Sequence, residues 1–351
     1  MADVVTLAID GQRYEGWKAV RITRAIDTLS GDFSLQLTDR ERQGADRLKL
    51  RAGSACEVQV DGETLITGFI DRVIASIDGG SHSLSIDGRD KSADLIDCSA
   101  VPKFSSWVNV PLETIASQIA APFGITITAR ASTKPAIRRF ALQQGESVFA
   151  AIDRLCRYRG LLAVSTADGM IELVTPMQGT ASMRIEEGEN ALALSITHDV
   201  SERFSEYLLK GQSSGDDMLS GKAAAGPSGK ASDPGVKRYR PLLLIGEEQS
   251  DADGLARRAK WEATTRAARA QEASVTVQGW RMANGALWNR NVIAQLVAPS
   301  LYVDAPMLVT SATLERSDRG TVTSLLMSPP EAYSQLAIPE QADASSVKGR
   351  S

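Results

Sequence analysis

A chain of 351 residues with 43% hydrophobic and 23% charged residues has ordinary globular composition, with room for two or three domains at roughly 150 residues each. Lysine and arginine number 39 against 43 aspartate and glutamate, a net charge of -4 that argues against a protein built mainly to grip phosphate backbones. A membrane-spanning helix is excluded too, because the longest charge-free run, residues 114–129, is broken by Gln118, Pro122 and Gly124.

The first hundred residues read as strands. Residues 4–9 alternate, and Asp10-Gly11 supplies a tight turn. Residues 17–24 and 31–38 follow, the latter with Phe33, Leu35 and Leu37 on one face and Ser34, Gln36 and Thr38 on the other. Cys56, Val58 and Val60 alternate with Glu57 and Gln59 before a second turn at Asp61-Gly62. Residues 64–77 carry Gly68 as an expected bulge, and Gly79-Gly80 turns the chain into residues 83–87. Short strands punctuated by Gly and Asp predict a first antiparallel β-barrel or sandwich domain over residues 1–97.

The pattern changes after Asp97. Residues 111–121 place Leu112, Ile115, Ala116 and Ile119 at helical spacing, with Pro111 suited to the first turn and Pro122 and Gly124 as stops. A second helix begins near Glu146 with the stripe Val148, Phe149, Ile152, Leu155 and Cys156, and Gly160 caps it. Short strands at 125–129, 161–165 and 170–174 complete a small α+β domain over residues 98–178.

Strands resume over 191–210. Residues 211–234 are rich in Gly, Ser, Ala, Lys and Asp and read as a mobile loop. Residues 241–245 form a short strand and 251–271 a helix, whose basic residues include Arg257, Arg258, Lys260, Arg266 and Arg269. Two readings of that helix stay open: a solvated helix packing through Leu255, Trp261 and its alanines, or a face docking on an acidic neighbour. Strands at 272–281, 291–297, 307–315 and 321–327 complete a second β domain over 179–335, and 336–351 read as a flexible tail. The last block loosely echoes the first, as a duplicated β domain would.

Chemistry is sparse. His82 sits in a turn-like Gly-Ser context and His198 at a strand end, without metal-ligand spacing. Gly221 and Gly226 have phosphate-loop separation, but Pro227 stands where a lysine is required; Gly229-Lys230 would need glycine at Ala224. The run from Gly211 to Gly215 mimics a nucleophile elbow around Ser213, yet no strand-turn-helix context follows. Carboxylate pairs Glu186-Glu187, Asp216-Asp217 and Glu247-Glu248 fall in turns or the loop, where solvation is the default. No catalytic, cofactor-binding or metal-binding residue is assigned, and no cofactor is expected. Cys56, Cys98 and Cys156 read as buried reduced thiols, and the amino terminus lacks the pattern of a secretory signal.

Collinear segments carry a resemblance that no single motif does. Residues 16–35, from Gly16-Trp17-Lys18 to Phe33-Ser34-Leu35, are similar to the start of baseplate hub proteins of Mu-like contractile-tailed bacteriophages. So are 67–71, 88–99, Gly145 to Phe149, Arg238 to Leu242, Gly279-Trp280-Arg281 and 326–333, together spanning about residues 1–335. The resemblance implies a mainly β chain with an α+β insert and two similar antiparallel β-barrel domains. It further implies a homotrimer forming a pseudo-sixfold ring between the hexameric tail tube and a separate trimeric tail spike, among other baseplate proteins. Such a hub sits in the virion, is assembled in the host cytoplasm, and lets DNA pass during ejection without tight binding. It performs no catalysis. The ring lumen is then expected to be neutral or acidic, with the basic helix outside it or against a neighbouring subunit. The rival readings are a tail-associated cell-wall hydrolase and a carbohydrate-binding β module. The first lacks a helical lobe of sufficient length; the second lacks clustered aromatic residues.

Overall fold

The computed structural model describes residues 3–38, 50–77, 82–176, 181, 183–211, 227–245, 252–334 and 336. Strands β1 (Val5–Ile9) and β2 (Gln12–Tyr14) meet at Asp10-Gly11, where φ values of 48° and 77° give the left-handed pair a tight hairpin needs. β3 (Ala19–Ala25) and β4 (Asp32–Thr38) follow, with Phe33 and Leu35 buried and Gln36 exposed, as alternation requires. β5 (Ala55–Val60) turns at Asp61-Gly62, again with both φ positive, into β6 (Glu63–Ile77), which pairs with β7 (His82–Asp90). The Gly79-Gly80 turn lies outside the described residues.

The bulge expected at Gly68 falls elsewhere. Gly68 is in register with both Cys56 and Asp90, and the slip comes at Asp71, between Ile70 and Arg72. Glycine is required at 68 because a Cβ there would stand 1.9 Å from the Arg89 carbonyl oxygen.

The middle of the chain comprises α1 (Ala93–Asp97), β8 (Ser106–Val110), α2 (Leu112–Ala120), β9 (Ile127–Ala129), β10 (Ile137–Ala141), α3 (Val148–Arg157), β11 (Leu162–Ser165) and β12 (Ile171–Val174). α2 buries Leu112, Ile115, Ala116 and Ile119, and α3 buries Val148, Ile152, Leu155 and Cys156; both stripes enter one core. Pro111 is the N-cap of α2 rather than a first-turn residue, and Gly124, at φ 65°, closes the turn after it. Ser147 caps α3 by accepting from the Ala150 amide at 3.2 Å.

The rest comprises β13 (Met183–Glu186), β14 (Ala191–His198), β15 (Glu206–Lys210), β16 (Ser228–Ser232), β17 (Pro241–Ile245), α4 (Ala252–Arg269), β18 (Gln271–Gln278), β19 (Val292–Ala298), β20 (Val303–Ser317) and β21 (Gly320–Ser328). Three expectations change. The run 191–210 is two strands in separate sheets. Part of the 211–234 segment is strand β16, antiparallel to β15; residues 212–226 lie outside the described set. Its small residues serve packing: a Cβ at Gly229 would stand 2.2 Å from the Leu255 carbonyl carbon, so α4 lies directly on the strand. The helix ends at Arg269 and Gln271 already belongs to β18; Asp251 lies outside the described residues, as do 335 and 337–351.

The chain is mostly β, and strands from both ends share one sheet. Its order is β14-β18-β21-β20-β3-β4-β7-β6-β5-β1-β2, with β19 beside β20 and β13 beside β19. β20 joins the halves by pairing with β3, from Ser311↔Ala25 to Arg316↔Val20. Within that sheet one order occurs twice: β3-β4-β7-β6-β5-β1 and β14-β18-β21-β20-β19-β13. The long strands β6 and β20 slip register at like places, Asp71 and Thr310. Phe33 and Leu35 on β4 match Ala273 and Val275 on β18, all buried in one shared core. The copies diverge at their last pair, antiparallel for β1–β5 and parallel for β13–β19.

Candidate functional site

The residue types that could carry chemistry are dispersed. His198 ends β14 in an exposed position and His82 opens β7. Among the described residues no three of His, Cys, Asp and Glu come together as a metal site. Glu186 accepts from Arg184 at 2.6 Å and Glu187 from the Ser300 amide at 3.0 Å; Arg184 holds the first carboxyl, and the Ser300 hydroxyl together with its amide the second, below the usual range. Each is engaged separately rather than facing the other across a cleft. Gly211 ends beside β15; Ser213, Asp216, Asp217, Gly221, Gly226, Glu247 and Glu248 lie outside the described residues.

Helix α4 packs through Leu255, Ala259 and Ala263 onto Tyr207 and Leu209 of β15, as its apolar positions predict. Its charges are largely matched within the chain. Glu262, buried at 8% exposure, accepts from Arg258 at 3.0 Å and from Arg266 at 3.1 Å. Arg266 also reaches Glu202 at 3.1 Å, while Arg269 donates to the Ala332 carbonyl at 3.1 Å. Trp261 Nε1 donates to the Ser334 carbonyl at 2.9 Å, fastening the chain's last described turn to the helix. Arg257 and Lys260 are exposed. The i±4 spacing of Arg258, Glu262 and Arg266 is present in the sequence; the structure adds that Glu262 is buried and accepts from both arginines.

A buried polar junction attaches the middle domain to the sheet. Asp90 accepts from the Gly31 amide at 2.7 Å, the Ser92 amide at 2.9 Å, Ser30 Oγ at 3.1 Å and Ser92 Oγ. Beside it Arg24 and Arg290 both donate to the Ser165 carbonyl. Burial, reinforced by the like charge of Arg24, pushes Arg290 down to about 9. Thr67 Oγ1 donates to the Ala167 carbonyl at 2.9 Å, and Gly169 lets that turn approach β6, since a Cβ would stand 2.7 Å from the Thr67 carbonyl oxygen. Sequence reasoning missed this junction because its members are spread across the chain and no one of them has a motif. At the far side, Trp280 is buried and donates to the Glu315 and Val322 carbonyls, while Arg281 reaches Asp3 at 3.0 Å and Asp61 at 2.9 Å. The Gly279-Trp280-Arg281 segment thus ties the last strands to the first.

What remains is surface. Val101, Phe104 and Val108 are exposed on the middle domain, Leu243 and Ile245 on β17, and Ile74, Ile77 and Leu192 on sheet strands. Such groups can hold another protein by apolar burial; they do not build an oriented nucleophile or acid-base pair.

Comparison with known proteins accords with that distribution. Residues 4–90 match the family model of the Mu phage baseplate assembly protein GpP-like N-terminal domain. Residues 92–175 match that of the baseplate hub protein gp44-like second domain, and 252–336 that of the GpP fourth domain. The chain is 33% identical to baseplate hub protein gp44 of Escherichia phage Mu over 360 residues, covering 99% of this chain and 93% of that protein. The 43 kDa tail protein of prophage MuSo2 from Shewanella oneidensis superposes with a TM-score of 0.86 at 29% identity, covering 95% of this chain and 100% of that one. An Escherichia coli component of the type VI secretion system shares the fold at a TM-score of 0.58 and 11% identity, over 95% of this chain and 80% of that one.

Proposed function

The chain belongs to the Mu-like phage baseplate hub family and is a structural tail protein, and from that premise we propose that three copies form the central ring of a contractile-tail baseplate. In this reading the ring adapts the hexameric tail tube on one side to a trimeric spike on the other and lets DNA pass during ejection. It assembles in the host cytoplasm before entering the virion, and it acts by binding rather than by catalysis. The observation that supports the reading is the strand order that occurs twice in one chain. Two like halves per chain give three chains six like positions, which reconciles sixfold and threefold neighbours. The engagement of Arg258 and Arg266 with Glu262 and Glu202 supports passage of DNA without capture, because paired guanidinium groups have less to gain from phosphate.

Sedimentation equilibrium tests the ring. A species of three chain masses is expected, strengthening with concentration by mass action; a monomer at every concentration overturns the reading. A peptidoglycan turbidity assay separates it from a hydrolase: no clearing is expected from purified protein.

A further inference from the structure

The two like halves of the sheet differ in how completely their strands are flanked. β20 is paired along one flank for nearly its whole length, with β19 against Val303 to Val309 and β3 against Ser311 to Arg316. Its counterpart β6 is paired on that flank by β5 only as far as Phe69. Among the described residues, 72–77 have no strand there. β14 has the converse gap: it pairs with β18 on one flank, while on the other, where its counterpart β3 meets β20, residues 193–198 have no strand among the described residues.

Both open edges are apolar. Ile74 and Ile77 are 43% and 77% exposed on β6, and Leu192 is 58% exposed beside half-buried Leu194 and Ile196 on β14. Edges of this kind template pairing with another chain unless something covers them.

We propose that residues 72–77 of β6 pair antiparallel with residues 194–199, along and just beyond β14, of a second copy of this chain, as β20 pairs with β3 within one chain. The register follows from the repeat. Aligning the slips at Asp71 and Thr310 makes Arg72 the counterpart of Ser311 and Ile77 that of Arg316. Leu35 and Val275 occupy like places on β4 and β18, so their partners Val20 and Leu194 correspond. The internal pairs Arg316↔Val20, Leu314↔Ile22 and Ser311↔Ala25 then become Ile77↔Leu194, Ala75↔Ile196 and Arg72↔Asp199 between copies. The first two extend the apolar core face across the junction, and the third opposes charges of unlike sign.

Each copy offers a different edge on either side, so the contact is head-to-tail and closes only as a ring. The pairing rests on the ring of three proposed above and names the surface that would close it.

The test is a double variant, Ala75→Cys with Ile196→Cys, oxidised and run on a non-reducing gel beside wild type as the control for the native cysteines. Covalent dimers and closed trimers are expected. Ser76→Cys with Ile196→Cys, whose side chains leave opposite faces of the paired strands, is expected to stay uncrosslinked. A sedimenting trimer that fails to crosslink through 75 and 196, or that crosslinks only through 76, overturns the strand pairing and leaves the ring standing. A monomer at every concentration overturns both. Ala75→Pro supplies a second readout by obstructing the edge. It should shift trimer to monomer with the monomer's thermal transition unchanged; an undiminished trimer counts against the pairing.

Discussion

Burial pushes the thiols of Cys56 and Cys156 up to about 12, so neither forms appreciable thiolate near neutrality, whereas Cys98 is only half-buried. A thiol reagent such as DTNB should therefore label Cys98 in the native protein and reach the other two only on unfolding; equal rates at all three would contradict this burial. Asp233 offers a pH test. Arg203 donates to it through two bonds, at 2.8 and 2.9 Å, and with the Gly235 amide holds its carboxyl below the usual range against the opposing effect of burial. A carboxyl depressed in the folded state stabilises above its unfolded value and loses that contribution as pH falls through the folded one. The pair should thus contribute fully above about pH 4 and fade below it. Asp233→Asn should lower stability at neutral pH by about 1–3 kcal/mol and flatten the acid limb, as read by denaturant melts across pH.

At the scale of elements, the contact of α4 with β16 is the most exacting. The helix crosses the strand at Gly229 with backbone so close that an added Cβ would meet Leu255 at 2.2 Å and Ala256 at 2.3 Å. Gly229→Ala should force the helix outward and cost about 1–3 kcal/mol. Lys230→Ala on the same strand loses only an exposed ion pair with Glu206, and should cost under about 1 kcal/mol. Paired thermal melts decide the matter: equal losses would show that the helix does not sit where Gly229 permits it. Twin slips in β6 and β20 belong to the same scale. In β20 the slip falls where one flanking partner, β19, gives way to the next, β3; in β6 it falls just past the end of the pairing with β5.

For the whole molecule, the proposed ring would have to pass DNA without holding it. A net charge of -4 sets the overall sign, and three of the four arginines of α4, Arg258, Arg266 and Arg269, are divided among Glu262, Glu202 and the Ala332 carbonyl. Duplex DNA at physiological salt should show no submicromolar binding by fluorescence anisotropy. Submicromolar affinity with a steep salt dependence would place several unpaired cations along the passage and overturn the expectation.

What the sequence determined by itself was local. Asp10-Gly11 and Asp61-Gly62 announce hairpins because left-handed backbone is a matter of one residue's sterics, and the stripes of α2 and α3 announce a core because helical spacing is set within a few turns. The collinear segments carried the family for the same reason, each being read in place. Tertiary structure alone decided the rest. Whether Gly68 bends a strand or admits the Arg89 backbone, and whether 228–232 is loop or strand, depends on what lies opposite. The union of both ends of the chain through β20 and β3, the Asp90 contact with Gly31 and the reach of Arg266 from α4 to Glu202 are likewise contacts between distant segments. Their energies come from burial and pairing, which no single stretch of chain contains.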